Sequence, residues 1–491
     1  MAGIGFELKR LFSQKGIFAL VRAYGYSGVI CAGPMLLGIV LLLGVRLIAT
    51  WGGMSREDQE LLTCMITYTL LASLMVTNCL SMVTTRYVAD ALYDHENGRV
   101  MPSFYGSTAL MSVLGGLMYG VFLLFSGVAL LYQLACLILF MELVVVWMQI
   151  SYLTAVKDYK GIMLTFLAAV GGALVTGCVL TACGGEPVLS LLLSVIVGYG
   201  MMLVWYYKLL IEYFPQGDTS ALQFLEWVDR YPQLVGTGAF IGIGLFAHLV
   251  LMWASPIGVQ VSGLFYSAPG YDIPALFAFL SILITTINFV TSVEVHFYPK
   301  YRIYFGLFNE GGTLIDIQRA EEELTGTLIR ELSYTFAKQF FASIVFIVGG
   351  TLVIPCLPFG FTEEMLGIYR VLCVGYAFYA SGNCMMLLSL YFSDHAGALF
   401  SASVYAVCTV AGTLIFMNGD ARYYGFGFLI GGAFFASAAM LRLMMYLKKL
   451  RYHVISKQPL SVVKTKGAAS VISRRMEERY HAKRKRLEKR S

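Results

Sequence analysis

The chain has 491 residues, of which 58% are hydrophobic and only 13% are charged, and its mean hydropathy is +0.73. This composition excludes a soluble globular protein, because a fold of this size cannot hide so much apolar surface from water. The net charge of +6 comes from a basic segment at the C-terminal end, so it does not indicate a nucleic-acid partner.

Twelve long apolar stretches follow one another along the chain, and each approaches or exceeds the roughly 20 residues that a helix needs to cross a bilayer. Membrane-barrel strands are shorter and alternate in polarity, which these runs do not. The sequence therefore predicts an all-α polytopic membrane protein with twelve transmembrane helices. The predicted spans are 27–50, 61–84, 104–126, 129–154, 161–183, 188–211, 233–254, 274–297, 332–356, 366–392, 396–417 and 424–447.

Lys and Arg are distributed unequally between the two sides of these spans. With the N-terminus in the cytosol, 31 of the 35 Lys and Arg lie on the inner side. The outer side holds only Arg46, Arg56, Arg370 and Arg422. Because positively charged loops stay on the cytosolic side, the pattern predicts a multi-pass protein of the cytoplasmic membrane with both termini in the cytosol.

The order of spans and polar segments predicts two lobes of six helices each, an arrangement typical of transporters built from two related halves. An interfacial amphipathic lead-in precedes the lobes. A basic tail follows them and is expected to be solvated and drawn to anionic lipid. The predicted segments are 1–26 (lead-in), 27–212 (N-terminal lobe), 213–232 (cytosolic linker), 233–448 (C-terminal lobe) and 449–491 (tail).

Polar side chains interrupt the apolar pattern along one face of two equivalent spans, the second and the eighth. Such a face must lie against protein or water, because exposing it to lipid costs free energy. One interpretation is that these groups join helices or bond back to their own carbonyls, and the other is that they line a polar cavity between the lobes. The residues are Thr63, Thr67, Asn78, Ser81 and Thr85 in span 2, and Ser281, Thr285, Asn288 and Ser292 in span 8.

Ionisable residues inside spans are candidates for function. Glu142 in span 4 is a candidate for binding a cation, carrying a proton or contacting a substrate amine. A buried carboxyl that is protonated or hydrogen-bonded to a neighbouring helix is an equal alternative. His248 in span 7 is a candidate proton relay, with satisfied packing as its alternative. Glu294 closes span 8 at its inner end. Lys338 and Arg442 are expected to reach the cytosolic interface with their long side chains.

The sequence contains no signature of an enzyme. It lacks the G-x-x-x-x-G-K-[ST] phosphate loop and the H-E-x-x-H zinc motif, and its ten Cys show no metal-ligand spacing. We therefore expect neither catalysis nor a cofactor nor a bound metal.

Several short motifs resemble the PelG family, the membrane transporters of the Pel exopolysaccharide system. The most specific lies at the N-terminus and includes Arg22, Tyr24, Tyr26 and Pro34, and a further match includes Arg86. The matching stretches are 1–8, 22–28, 33–34, 85–90, 266–272 and 294–302, and the resemblance extends from residue 1 to about 450. Nothing in it extends to the basic tail.

The resemblance implies two six-helix lobes around a central cavity, as in multidrug exporters and polysaccharide flippases. It also implies export of a partly cationic, galactosamine-containing polymer, with a cytosolic glycosyltransferase and a membrane regulator as partners. On this basis the expected substrate pathway comprises Glu142, Thr67, Asn78, Ser81, Thr285, Asn288, Ser292, Glu294 and His248. Two alternatives remain open: a drug exporter of the same architecture, and a membrane scaffold that seats a glycosyltransferase.

Overall fold

The computed structural model describes residues 37–156, 158–215, 217, 219–356, 360–456 and 467–488. The helices of the first half are α1 (Leu37–Trp51), α2 (Arg56–Tyr93), α3 (Val100–Phe125), α4 (Leu130–Val156), α5 (Tyr159–Ala182), α6 (Pro187–Tyr213) and α7 (Leu225–Arg230). The helices of the second half are α8 (Pro232–Trp253), α9 (Pro269–Phe279), α10 (Leu283–Ser292), α11 (Tyr298–Glu310), α12 (Leu314–Val353), α13 (Glu363–Tyr391), α14 (His395–Phe416), α15 (Phe426–Leu447), α16 (Leu450–Ser456) and α17 (Ala468–Glu488).

The predicted all-α polytopic membrane fold is confirmed. Within the described ranges, eleven helical segments are long and apolar enough to cross a membrane, and α1 is a shorter apolar helix. Each of the twelve predicted spans overlaps one of these twelve segments. The lead-in 1–26 and the motif residues Arg22, Tyr24, Tyr26 and Pro34 lie outside the described residues.

Polar residues in the connections fix where several of the membrane helices begin. Ser55 accepts a hydrogen bond from the backbone amide of Asp58 at the start of α2, over 3.1 Å. The Glu186 carboxylate accepts from the amide of Leu189 at the start of α6, over 2.6 Å. Such side chains satisfy amides that have no partner within the helix. A helix that enters an apolar phase needs its first amides hydrogen-bonded, because no water is available there to bond them.

The described residues divide into two compact units. The N-terminal unit comprises 37–243, 259–267 and 467–488, and the C-terminal unit comprises 244–258 and 268–456. The division falls within α8 rather than in the connection before it. The domain boundaries predicted from sequence remain predictions.

The eighth predicted span is a helix of changing pitch. A 3₁₀ turn (Leu280–Ile282) separates α9 from α10, and a π-helical turn (Val293–Phe297) separates α10 from α11. The helix therefore continues past its predicted inner end at residue 297. Gly311, at φ +84°, ends α11 and allows the chain to turn into α12. Departures of this kind within a membrane helix often mark a functional position.

A small β-hairpin, which the sequence did not predict, lies in the connection between α8 and α9. Strands β1 (Val259–Ser262) and β2 (Phe265–Ser267) pair antiparallel. The Tyr68 hydroxyl donates to the carbonyl of Tyr266 and accepts from its amide, over 3.0 and 3.1 Å. The Phe265 ring is fully buried against Tyr68 and Phe122. The hairpin is thereby fixed to the first half of α2 within the N-terminal unit.

Candidate functional site

The polar face predicted in span 2 lies on α2 and is partly buried. A Cβ atom placed on Gly238 would lie 2.0 Å from the carbonyl oxygen of Asn78, and one on Gly242 would lie 3.4 Å from the Asn78 amide nitrogen. Asn78 therefore sits where α2 and α8 approach closely. The Ser81 hydroxyl donates back to the carbonyl of Asn78 over 3.3 Å. Asn78 and Ser81 thus contribute to helix packing in the N-terminal unit, while Thr67 is half-buried.

A second hydroxyl stripe on α2, one that sequence reasoning missed, is buried more deeply. Thr69, Ser73 and Thr77 follow each other at four-residue spacing and are almost inaccessible. Thr69 lies 2.7 Å from the Tyr119 hydroxyl, and the Trp147 indole donates to Ser73 over 3.0 Å. The four-residue spacing of these hydroxyl residues in the sequence could have predicted that they share one face of the helix. These groups join α2 to α3 and α4.

Glu142 faces the interface between α4 and α6. Its Oε1 atom lies 3.3 Å from the position of a Cβ on Gly200, so the absence of a side chain there makes room for the carboxyl group. Its Oε2 atom is buried and has no hydrogen-bond partner among the described residues. A buried polar atom without a partner is costly and calls for an explanation such as a bound proton, ion, water or substrate. Oε2 thus makes no hydrogen bond to a neighbouring helix within the described residues, while a protonated carboxyl and a functional carboxyl both stay predictions.

The polar face predicted in span 8 lies on α10 and meets a matching polar face on α12. Thr285 donates to the side-chain carbonyl of Gln339, and the side-chain amide nitrogen of Gln339 donates to the Ser343 hydroxyl over 3.0 Å. Lys338 donates to Asn288 over 3.1 Å. Because these partners lie 50 or more residues further along the chain, sequence pattern alone did not pair them. The hydrogen bond from Lys338 to Asn288 was not predicted, and the expectation that Lys338 reaches the cytosolic interface stays a prediction.

The π-helical turn brings a carboxylate from α12 to the inner end of this face. Ser292 donates to Glu331 over 2.7 Å, and His296 Nδ1 lies 3.3 Å from the same oxygen. A small cleft opens beside these groups and is lined mostly by apolar side chains such as Phe289 and Phe297. Glu331 was not predicted. Glu294 lies in the turn itself and is half-buried.

His248 belongs to a different part of the C-terminal unit, the aromatic core around α8, α9 and α15. The ring is fully buried, its Nδ1 atom lies 2.8 Å from the Tyr271 hydroxyl, and its ring centroid lies 4.2 Å from that of Phe428. Its Nε2 atom is buried without a hydrogen-bond partner in the described part of the chain. The packing interpretation accounts for one ring nitrogen but not the other.

Two arginines are fixed by acidic neighbours near the predicted inner side. Arg442 donates to both oxygens of Asp394 over 2.7 and 2.8 Å, and the expectation that it reaches the cytosolic interface stays a prediction. Arg86 Nε lies 3.1 Å from Asp90 Oδ1 at the end of α2. Only the Arg442 pair uses the geometric match between a guanidinium and a carboxylate, because Arg86 Nε makes no hydrogen bond among the described residues despite its distance from Asp90.

The predicted pathway residues therefore form two sets, each within its own unit. Thr67, Asn78, Ser81 and Glu142 lie in the N-terminal unit, and the other five lie in the C-terminal unit. Across the described ranges, no group of three or more His, Cys, Asp or Glu side chains is placed to hold a metal ion.

Comparison with known proteins gives the family. The model of PelG, described as "Putative exopolysaccharide Exporter (EPS-E)", matches residues 1–455. The chain belongs to the PelG family. Membership identifies it as a membrane transporter of the exopolysaccharide-exporter type, and it confirms the resemblance carried by the short motifs. No curated protein matches the chain.

Solved structures with a similar fold are transporters of the MATE family and the MOP superfamily. An outward-facing multidrug resistance MATE transporter shares 13% identity at a TM-score of 0.58, over 87% of this chain and 96% of its own. A MOP-superfamily transporter from Pyrococcus furiosus shares 13% identity at a TM-score of 0.59, over 87% of this chain and 96% of its own. An inward-facing MATE transporter shares 13% identity at a TM-score of 0.57, over 88% of this chain and 100% of its own. At this identity the similarity shows the fold alone.

Proposed function

We propose that this chain exports an amino-sugar exopolysaccharide across the cytoplasmic membrane by a flippase-like mechanism. The observation that carries the proposal is the family match, which extends over nearly all of both units. The fold is consistent with it, because the similar structures are transporters. The polar faces on α2 and α10 supply hydrogen-bonding groups within otherwise apolar helices, and a sugar polymer requires such groups along its route.

Glu142 is the strongest candidate for contact with the substrate or a coupling proton. Its Oε2 atom is buried without a partner, whereas most of the other candidates already bond to protein. Thr67, Asn78 and Ser81 would complete the route in the N-terminal unit. In the C-terminal unit the route would be lined by Thr285, Asn288, Ser292 and Glu294, and His248 would act as a proton relay through its unpartnered Nε2.

The same proposal places both termini in the cytosol, following the excess of Lys and Arg on the inner side. A cytosolic glycosyltransferase would deliver the growing polymer, and a membrane regulator of the same system would control delivery. Anionic lipid would attract the basic residues of the tail.

The decisive experiment is reconstitution in vesicles with the cognate glycosyltransferase and its nucleotide-sugar donor, with measurement of polymer in the lumen. We expect Glu142→Leu to lower the amount of lumenal polymer about tenfold or more, since the loss of one well-placed polar contact commonly costs about 1–3 kcal/mol. Glu142→Gln keeps the shape of the side chain and tests whether the ionisable proton is needed. Glu57→Gln, which removes an exposed carboxylate at the start of α2, serves as the control.

Two results would redirect the proposal. Lumenal polymer in vesicles that lack this chain would identify it as a scaffold for the glycosyltransferase. Protection against toxic amines without polymer transport would identify a drug exporter, the activity named for one of the structures of similar fold. Full transport by the Glu142→Leu protein would remove Glu142 from the route.

A further inference from the structure

The C-terminal helix α17 lies beyond the part of the chain that the family model matches, which ends at residue 455. The sequence predicts a solvated tail, but the structure packs this helix against α7, in the connection between the two halves of the chain. Ser470 and Ser473 are fully buried there. The helix therefore occupies a defined position within the N-terminal unit.

Two carboxylates of α7 hold the beginning of α17. The amide of Ser470 donates to Asp229 Oδ2 over 2.6 Å, and Arg474 Nε lies 3.7 Å from Glu226 Oε1. A Cβ atom on Gly467 would lie 2.1 Å from the Asp229 carboxyl carbon, so a side chain there would displace the carboxylate from its present position. A negative charge at the first turn of a helix is favourable, because it meets unpaired amides and the positive end of the helix dipole.

The segment containing α7 is in turn fixed to the predicted inner end of α2. The Trp227 indole donates to Asp90 over 2.8 Å, and its ring meets that of Tyr87 edge-on at 4.8 Å. The Tyr87 hydroxyl donates to the side chain of Gln223 over 3.1 Å. A continuous set of contacts therefore runs from α17 through α7 to α2.

We propose that α17 is a latch that holds α7 against α2 and slows transport. The proposal rests on the proposed function, in which α2 carries part of the substrate route. Contacts made in only one arrangement of α7 favour that arrangement over the others. A transporter completes its cycle only by leaving each state in turn, so additional contacts in one state lower the rate.

The character of these contacts makes the latch reversible. Arg474 and Glu226 are 41% and 29% exposed, and an ion pair with this exposure is weak and screened by salt. Basic residues further along the tail, including Arg475 and Arg479, remain exposed. Release therefore includes breaking a charged contact that salt weakens.

The first part of the test measures docking directly. Amide hydrogen exchange over residues 467–480 is measured for the full-length protein in nanodiscs. The wild-type protein is compared with Glu226→Arg, with Arg474→Glu and with the variant that combines both substitutions. Each single variant is expected to raise exchange by about threefold or more, as a local opening equilibrium shifts. The double variant restores an opposite-charge pair and should return exchange toward the wild-type rate. Arg475→Glu changes an exposed neighbour on the same helix and serves as the control.

The second part measures polymer transport into vesicles by the same proteins. The two single variants should transport faster than wild type by about twofold or more, and the double variant should return to the wild-type rate. Unchanged hydrogen exchange in the single variants would overturn the docking. Raised exchange with an unchanged or lower transport rate would overturn the role as a brake. No transport by wild type would refute the proposed function and the brake together, while the exchange data would still decide the docking.

Discussion

At the scale of single residues, the buried polar groups divide into those that the fold satisfies and those that it does not. Arg442 has both oxygens of Asp394 as acceptors, and Asn78 lies at a close helix crossing. Glu142 and His248 each keep one buried atom without a hydrogen bond among the described residues. Satisfied groups account for stability, whereas unsatisfied groups are where a proton, water or substrate would bind.

The crossing of α2 and α8 gives a prediction about glycine. Gly238→Ala places a Cβ atom 2.0 Å from the carbonyl oxygen of Asn78, so the two backbones must separate. We expect a loss of about 1–3 kcal/mol in the free energy of unfolding, as for other overpacked sites. The measurement is thermal unfolding of the purified protein in detergent.

Gly242→Ala is the matched control, because it lies one turn further along α8 and faces the same asparagine. Its Cβ atom would lie 3.4 Å from the Asn78 side chain, an ordinary contact, and alanine also favours the helix over glycine. We expect no loss of stability. Equal destabilisation by both substitutions would contradict the close crossing.

At the scale of elements, the main result is that α10 and α12 pair through polar faces. Gln339 joins Thr285, the carbonyl of Ser281 and the hydroxyl of Ser343. Because no water competes for these groups within an apolar phase, each must find a partner in protein. The changes of helical pitch on both sides of α10 give this element a place to bend, which is useful in a helix that changes position during transport.

Gln339→Leu tests the importance of this pairing. It leaves the hydroxyls of Thr285 and Ser343 without their partner, and we expect a loss of about 1–2 kcal/mol in stability. The double variant Thr285→Val with Gln339→Leu removes both polar groups and should be more stable than Gln339→Leu alone. A double-mutant cycle from unfolding in detergent gives the coupling between the two residues. If the changes in unfolding free energy of the two single variants add up to that of the double variant, the two residues do not interact.

At the scale of the whole molecule, the chain forms two compact units. Two segments belong to a different unit from the residues that precede them in the chain. The hairpin at 259–267 and the helix α17 both belong to the N-terminal unit, although each follows residues of the C-terminal unit. Besides the passage through α8, the chain therefore crosses between the units at both ends of the hairpin and before α17. Transport by relative motion of two units would have to accommodate all of these connections.

The membrane topology is the prediction that belongs to this scale. With twelve spans and both ends in the cytosol, green fluorescent protein fused after Ser491 should fluoresce, and alkaline phosphatase fused there should be inactive. Phosphatase fused after Gly419, in an outer connection, should be active. An active phosphatase at the C-terminus would require an odd number of spans and reverse the assignment of the later loops.

Much of the fold was determined by the sequence itself. Runs of apolar residues must form helices that lipid can surround, so composition and length were sufficient to predict the fold class and the approximate positions of the apolar helices. Short motifs were sufficient for the family, and the polarity of α2 and α10 was visible because a helix presents every third or fourth residue on one face.

Only the tertiary structure decided which groups are partners. Gln339, Lys338 and Glu331 meet α10 from α12, and Asp229 meets the tail from more than 200 residues earlier in the chain. The unpaired oxygen of Glu142 could likewise be recognised only once its neighbours were in place. The physical reason is that a local pattern reports which face of a helix is polar, but a hydrogen bond depends on distance and direction between segments that the fold brings together.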